Sequence, residues 1–421
     1  MEFRARSHRR PHRSPSRRTY LRELVALGGV AGLAACLEAP GAQAVPTGDP
    51  ARRPTRQHAW NETLATDEAG NRVPPEHHVL VPLRLRGDVD EANRSRMAAA
   101  LRSLERAYAH GPDGLLFTVG YTPAYFDRVP ASPLPEPEPL TTMETPDLDT
   151  FDAIVHLASD HPSVVIEAEE ALFGGVDEPN GVPMDETLSG LFERVSPRRT
   201  GFVGPGLPVE YADHEAVPES VPPAAPFFMG FRSGFAESQA PEDRVTIRSG
   251  PFAGGTTMHI ESLDIQLQTW YEQETHHQRV AKTFSPAHAE EDRVESVGAA
   301  LGASTGVGGE IADRTATDAR SRGVVGHAQK AARARDDDGT PPLLRRDVNT
   351  MDGDRPGLHF VSLQRSIDEF VRVRDAMTGA ALAGDGVGQR LNNGLLQYLF
   401  VRRRGNFLLP PRGNRALPDG S

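Results

Sequence analysis

His78-Val79-Leu80-Val81-Pro82-Leu83-Arg84-Leu85 carries the alternation of a half-buried strand, and the segments on either side of it set a repeating plan. Glu91 to Tyr108 places Met97, Leu101, Leu104 and Tyr108 at helical spacing, with Asp90 as an acidic cap. Leu115 to Gly120 reads as a second strand, Phe151 to Ser159 as a third, and Pro162 to Leu172 as a second helix; residues 129–149 form a Pro-rich surface excursion. The order β-α-β-β-α is the ferredoxin-like pattern. A Pro-rich joint at residues 216–226 leads to a second set. There Gly255 to Ser262 predicts a strand and Leu263 to His276 a helix. An acidic, Gly-rich insertion over 289–326 follows, then a strand at Leu358 to Leu363 and a helix at Ser366 to Met377. The expected fold class is therefore α+β, with two fused ferredoxin-like halves over 73–215 and 216–421 and helices packed on antiparallel sheets.

The first 36 residues are of another kind. Eight arginines lie between Arg4 and Arg22, and Ser16-Arg17-Arg18-Thr19-Tyr20-Leu21 reads as the twin-arginine export address, which implies the twin-arginine translocon as a partner. The apolar stretch from Leu24 to Ala35 is too short for a bilayer span, which needs about 20 apolar residues. It ends in Leu33-Ala34-Ala35-Cys36, a lipobox around the single cysteine of the chain. The other reading is a basic tail before an ordinary buried helix. On the export reading the protein is anchored to the outer face of the cytoplasmic membrane by a lipid on Cys36, and residues 37–72, rich in Pro, Ala, Thr and Arg, form a disordered tether.

Removing residues 1–35, which hold eight Arg and two Glu, takes the formal charge from −12 to −18. Lysine is nearly absent: Lys282 and Lys330 are the only two. An acidic surface that uses Arg in place of Lys suits high salt and predicts a halophilic, haloarchaeal source, with an acidic protein of high-GC codon usage as the alternative. Such a charge argues against nucleic acid as a partner. One cysteine allows neither an internal disulfide nor a Cys-based metal site. The adjacent histidines His77 and His78, and His276 and His277, read as solvated pairs with weak metal binding at most.

Several segments, in order, resemble the dye-decolourising (Dyp-type) haem peroxidases. Phe117 to Arg128 is similar to that family's T-V-G-x-x-x-x-x-F-D-R segment, and Phe151 to Leu172 to its strand-and-helix segment. Met229-Gly230-Phe231-Arg232-Ser233-Gly234 falls where the family has M-G-F-x-D-G. Gly326-His327 and Leu343-Leu344-Arg345-Arg346 match the haem-ligating His and the L-R-R segment after it. The resemblance covers most of residues 75–410. It implies haem b as cofactor, with His327 as axial iron ligand and Gly230, Phe231, Arg232 and Gly234 in a loop against the macrocycle. It also implies hydrogen peroxide and an unnamed reductant as partners, and leaves a homo-oligomer open.

In that family a distal arginine stabilises negative charge on peroxide, and Arg345 or its neighbour Arg346 stands at the matching place. Ser233 is the departure, because the family's Asp there moves the peroxide proton and a serine hydroxyl is a poor base. Leu343 to Val348 reads as a short strand, so Asp347 shares the face of Arg345 and is the candidate substitute; the alternative is that it pairs with Arg346 or Arg355. Two functions follow from the resemblance: a peroxidase-like oxidoreductase of the envelope, or a haem-binding, haem-iron handling lipoprotein with little turnover. A third is a scaffold that has lost the cofactor.

Overall fold

A computed structural model describes residues 44–67, 70–129, 134–232, 238–294, 311–382 and 386–419. Cys36, Arg17, Arg18, Ser233 and Gly234 lie outside the described residues. In the first half, β1 (His77–Leu85) is followed by α1 (Glu91–Ala107), β2 (Leu116–Tyr121), β3 (Asp147–Leu148) and β4 (Ala153–Ser159). Next come α2 (Pro162–Leu172), β5 (Phe192–Arg194) and β6 (Arg199–Phe202). Asp90 caps α1 by accepting a hydrogen bond from the Asn93 amide, as the sequence predicts. The second half runs β7 (Thr256–Ile265), α3 (His276–Thr283), α4 (Pro286–Glu290), α5 (Thr315–Arg322) and α6 (His327–Ala332). It continues through β8 (Leu344–Arg345), β9 (Val348–Thr350), β10 (Gly357–Gln364), α7 (Ile367–Thr378) and β11 (Leu399–Leu409).

The strands join one sheet along the path β2-β4-β1-β6-β9-β10-β7-β11-β3, with β5 beside β1 and β8 beside β10. The same internal order recurs in each half: β6-β1-β4-β2 in the first and β11-β7-β10-β9 in the second. Both halves are thus ferredoxin-like, and their sheets meet where Phe202 of β6 pairs with Asn349 of β9. A pairing of Leu408 with Tyr121 brings the far ends together, so the sheet is barrel-like. In the first half the space between sheet and helices is filled, by Val79, Leu83, Leu101, Leu104, Val155 and Val165 among others. The second half leaves that space partly open.

Three expectations are corrected. From residue 44 onward the proposed tether is part of the fold. Trp60 and His58 are fully buried, and Gln57 donates to the carbonyls of Val119 and Pro410, clamping both halves. Its composition reads as disorder because polar side chains, not an apolar stripe, anchor it. The helix expected over 263–276 is displaced at its start by β7, which carries on to Ile265 with Leu263 and Ile265 paired to β11; a short π-helical turn at Thr269–Gln273 follows, and α3 then begins at His276 behind the Thr275 cap. Finally, His77 and His78 are buried; His78 Nδ1 meets His156 Nε2 at 2.9 Å while its Nε2 donates to the Pro75 carbonyl.

Candidate functional site

The open space in the second half is a cavity that, with its mouth and the solvent in it, spans about 1390 Å³. Its sheet wall is Leu263 and Ile265 of β7 with Leu358 and Phe360 of β10; its helical wall is His327 of α6 and Phe370, Val373, Arg374 and Met377 of α7. Period-2 alternation on β7 and β10 decides which side chains face it.

His327 opens α6 behind Gly326, whose amide donates to Gln329 Oε1. Gly326 is pressed against the backbone of Phe284, which leaves no room for a side chain there and sets the entry of the helix. His327 is half-buried and lines the cavity. Burial first, then the positive charges of Lys330, Arg345 and Arg374, push its pKa down to about 3. The imidazole is therefore neutral and its lone pair is available to a metal.

Across the cavity, β8 and β9 lie on β10 in one register, Arg345 opposite Ser362 and Val348 opposite His359. Arg345 and Asp347 consequently share the cavity face, with Nη1 3.5 Å from Oδ2. The Asp347 carboxylate also accepts from the Val361 amide, and the Arg345 amide donates to Gln239 Oε1. Burial pushes the Asp347 carboxyl up to about 6 against the pull of Arg345. Arg346 turns the other way: it is buried, stacks on Trp60 at 3.7 Å and donates to the His58 carbonyl. Arg355 pairs with Asp264 instead. Of the two candidate arginines only Arg345 presents its side chain beside Asp347.

The Phe227–Arg232 loop forms a third wall. Asn349 holds it by accepting from the Phe228 amide and donating to the Pro226 carbonyl, and Trp270 and Tyr271 donate to the carbonyls of Met229 and Phe228. Gly230 takes φ +89° in this turn, with the Tyr271 hydroxyl only 3.1 Å from where a Cβ would stand. Phe231 and Arg232 line the cavity, and Arg232 pairs with Asp67 at 2.8 Å. Asn71, Arg72 and Pro74, from the segment read as tether, complete the wall. No local motif marks them; they reach the cavity only because the segment folds back. Asn71 Nδ2, Thr283 Oγ1 and Arg374 Nε are buried at this wall with no partner among the described residues. Those residues also hold no cluster of three or more His, Cys, Asp or Glu able to bind a bare metal ion.

Residues 75–411 match the model of DUF7405, a family of unknown function. The chain belongs to that family. No curated protein matches this DUF7405 chain. Among solved structures it is similar to a DyP-type peroxidase from Cellulomonas bogoriensis (19% identity, TM-score 0.57, covering 90% of this chain and 99% of that one). It is similar to DtpA from Streptomyces lividans in an oxyferrous/water mixed complex (16%, 0.56, 87% and 95%). A putative Dyp-type peroxidase from Shewanella oneidensis also matches (14%, 0.51, 81% and 94%). At these identities the likeness is one of fold: this DUF7405 protein has the α+β, barrel-like fold of Dyp-type peroxidases.

Proposed function

We propose that this DUF7405 protein is a haem-dependent, peroxidase-like oxidoreductase that uses hydrogen peroxide. The observation that carries the reading is the placement of neutral His327 and the Arg345–Asp347 pair around one cavity. The residues present fit the group. Apolar walls suit a flat macrocycle, a neutral imidazole suits its iron, and the partnerless donors of Asn71 and Arg374 suit its carboxylates. His327 would hold the iron, with Phe231 and Arg232 of the Gly230 loop and Leu263, Phe360 and Met377 against the macrocycle. Haem, when bound, supplies a redox-active iron.

The chain's own residues supply the acid–base chemistry. A carboxyl with a pKa near working pH is suited to take a proton and return it. Asp347 would accept the proton of one peroxide oxygen and deliver it to the other, which leaves as water. The Arg345 guanidinium stabilises negative charge as the O–O bond lengthens. In haem-loaded protein, Asp347→Asn is expected to cut the rate of reaction with peroxide about a hundredfold, and Ser233→Asp in the same chain to restore much of it. An Asp347→Asn protein that reacts as fast as the parent overturns the role of Asp347.

Ser233, where the Dyp-type motif has Asp, favours a second reading: a haem-binding or haem-iron handling lipoprotein with little turnover. Dye oxidation by peroxide separates the two. In either case the Arg17-Arg18 motif and Cys36 support an exported, lipid-anchored protein of the envelope, and the acidic, Arg-rich composition a halophilic source.

A further inference from the structure

The chain has 46 basic residues besides histidine, and all but Lys282 and Lys330 are arginine. Both lysines are inside the protein, 4% and 1% exposed. Lys282 has an ordinary partner, Glu274 at 2.5 Å. Lys330 has none. Its ammonium donates to three neutral acceptors, the Met377 carbonyl at 2.5 Å, the Asn393 carbonyl at 3.0 Å and Asn393 Oδ1 at 2.6 Å. Three acceptors match the three N–H bonds of a compact ammonium, a geometry that a planar guanidinium does not satisfy.

Lys330 stands three residues after His327, one turn along the same short helix, and its stem packs with the His327 backbone around Gly394. The charges acting most strongly on the His327 ring are Lys330, Arg345 and Arg374, all cations. Burial, with Arg374 and Arg333, pushes Lys330 down to about 7; the three carbonyl acceptors favour the ammonium form. An unneutralised buried charge is costly and is expected to be replaced by an apolar group unless its field is used.

We propose that Lys330 is a positioning residue that sets the electrostatics beside His327 in the haem site, its ammonium form favouring the reduced state of iron bound by His327. This rests on the haem reading above. Reduction removes one positive charge from the iron, so a nearby cation stabilises the ferrous form and raises the potential. The same field draws electron density away from the ligand, which suits holding ferrous iron better than reducing peroxide. The two functional readings above therefore differ in what they ask of Lys330.

The test is the midpoint potential of haem-loaded protein at pH 6, where the ammonium form is present, compared with Lys330→Met and Lys330→Gln. The ferrous-to-ferric ratio at fixed potential should fall at least tenfold in both variants, which is about 59 mV for a one-electron couple. Rescue uses a Cys36→Ala, Lys330→Cys chain, in which the new thiol is unique. Aminoethylation of the unfolded chain, followed by refolding with haem, rebuilds an ammonium of lysine length and should restore the parent potential; neutral alkylation should not. Variants that bind haem with unchanged potential overturn the inference and leave the haem reading intact. If Lys330→Met and Lys330→Gln do not fold and the Lys330→Cys chain folds only after aminoethylation, the role of Lys330 is structural and the inference also fails. A parent protein that takes up no haem overturns both.

Discussion

The raised Asp347 carboxyl makes a prediction that needs no cofactor. In the folded protein it holds its proton up to about pH 6, against 3.8 in an ordinary carboxyl. Two pKa units at 1.36 kcal/mol each put the penalty for ionising it in place at about 3 kcal/mol. The sign is fixed by proton linkage: folding binds the proton more tightly, so stability is undiminished below the unfolded pKa and falls as pH rises from about 4 through 6. Asp347→Asn removes the ionisable group and keeps an oxygen to accept from the Val361 amide. Haem-free Asn variant should be more stable than the parent by about 2–3 kcal/mol at pH 8, and the gain should shrink towards zero near pH 4. Urea denaturation of both proteins across that range measures it. A parent and variant with the same pH dependence would refute the half-buried, proton-holding carboxyl, and with it the basis for Asp347 as a proton carrier.

Trp60→Ala should destabilise the protein by about 3–5 kcal/mol in urea melts, because the ring is fully buried beneath Arg346; a change at a true tether would cost nothing. Cys36→Ala should move the protein from the membrane fraction to the soluble exported fraction, and lysines in place of Arg17 and Arg18 should leave precursor inside the cell. Persistence of the Cys36→Ala chain in membranes without a lipid mass would reject the lipobox.

The first half was legible because its amphipathic patterns are local: Met97, Leu101 and Leu104 face one core and Asp90 caps their helix. The face shared by Arg345 and Asp347 was legible for the same reason, since strand alternation needs no knowledge of the rest of the fold. The end of β7 was not. Leu263 and Ile265 fit a helical stripe as well as a strand, and only the partners β10 and β11 decide between them. Nor were the wall residues Asn71, Arg72 and Arg374, which come together from distant segments. The direction of Arg346 was likewise hidden, because it depends on Trp60, 286 positions earlier in a segment whose polar composition resembles a linker.

That this cavity holds haem through His327 is decided by the absorption spectrum of the haem-reconstituted protein. The parent should show one equivalent of haem with the Soret band of a histidine-ligated ferric iron, and His327→Ala should shift that band or lose the haem. A parent without a Soret band, or a His327→Ala protein with the parent's spectrum and haem content, would contradict it.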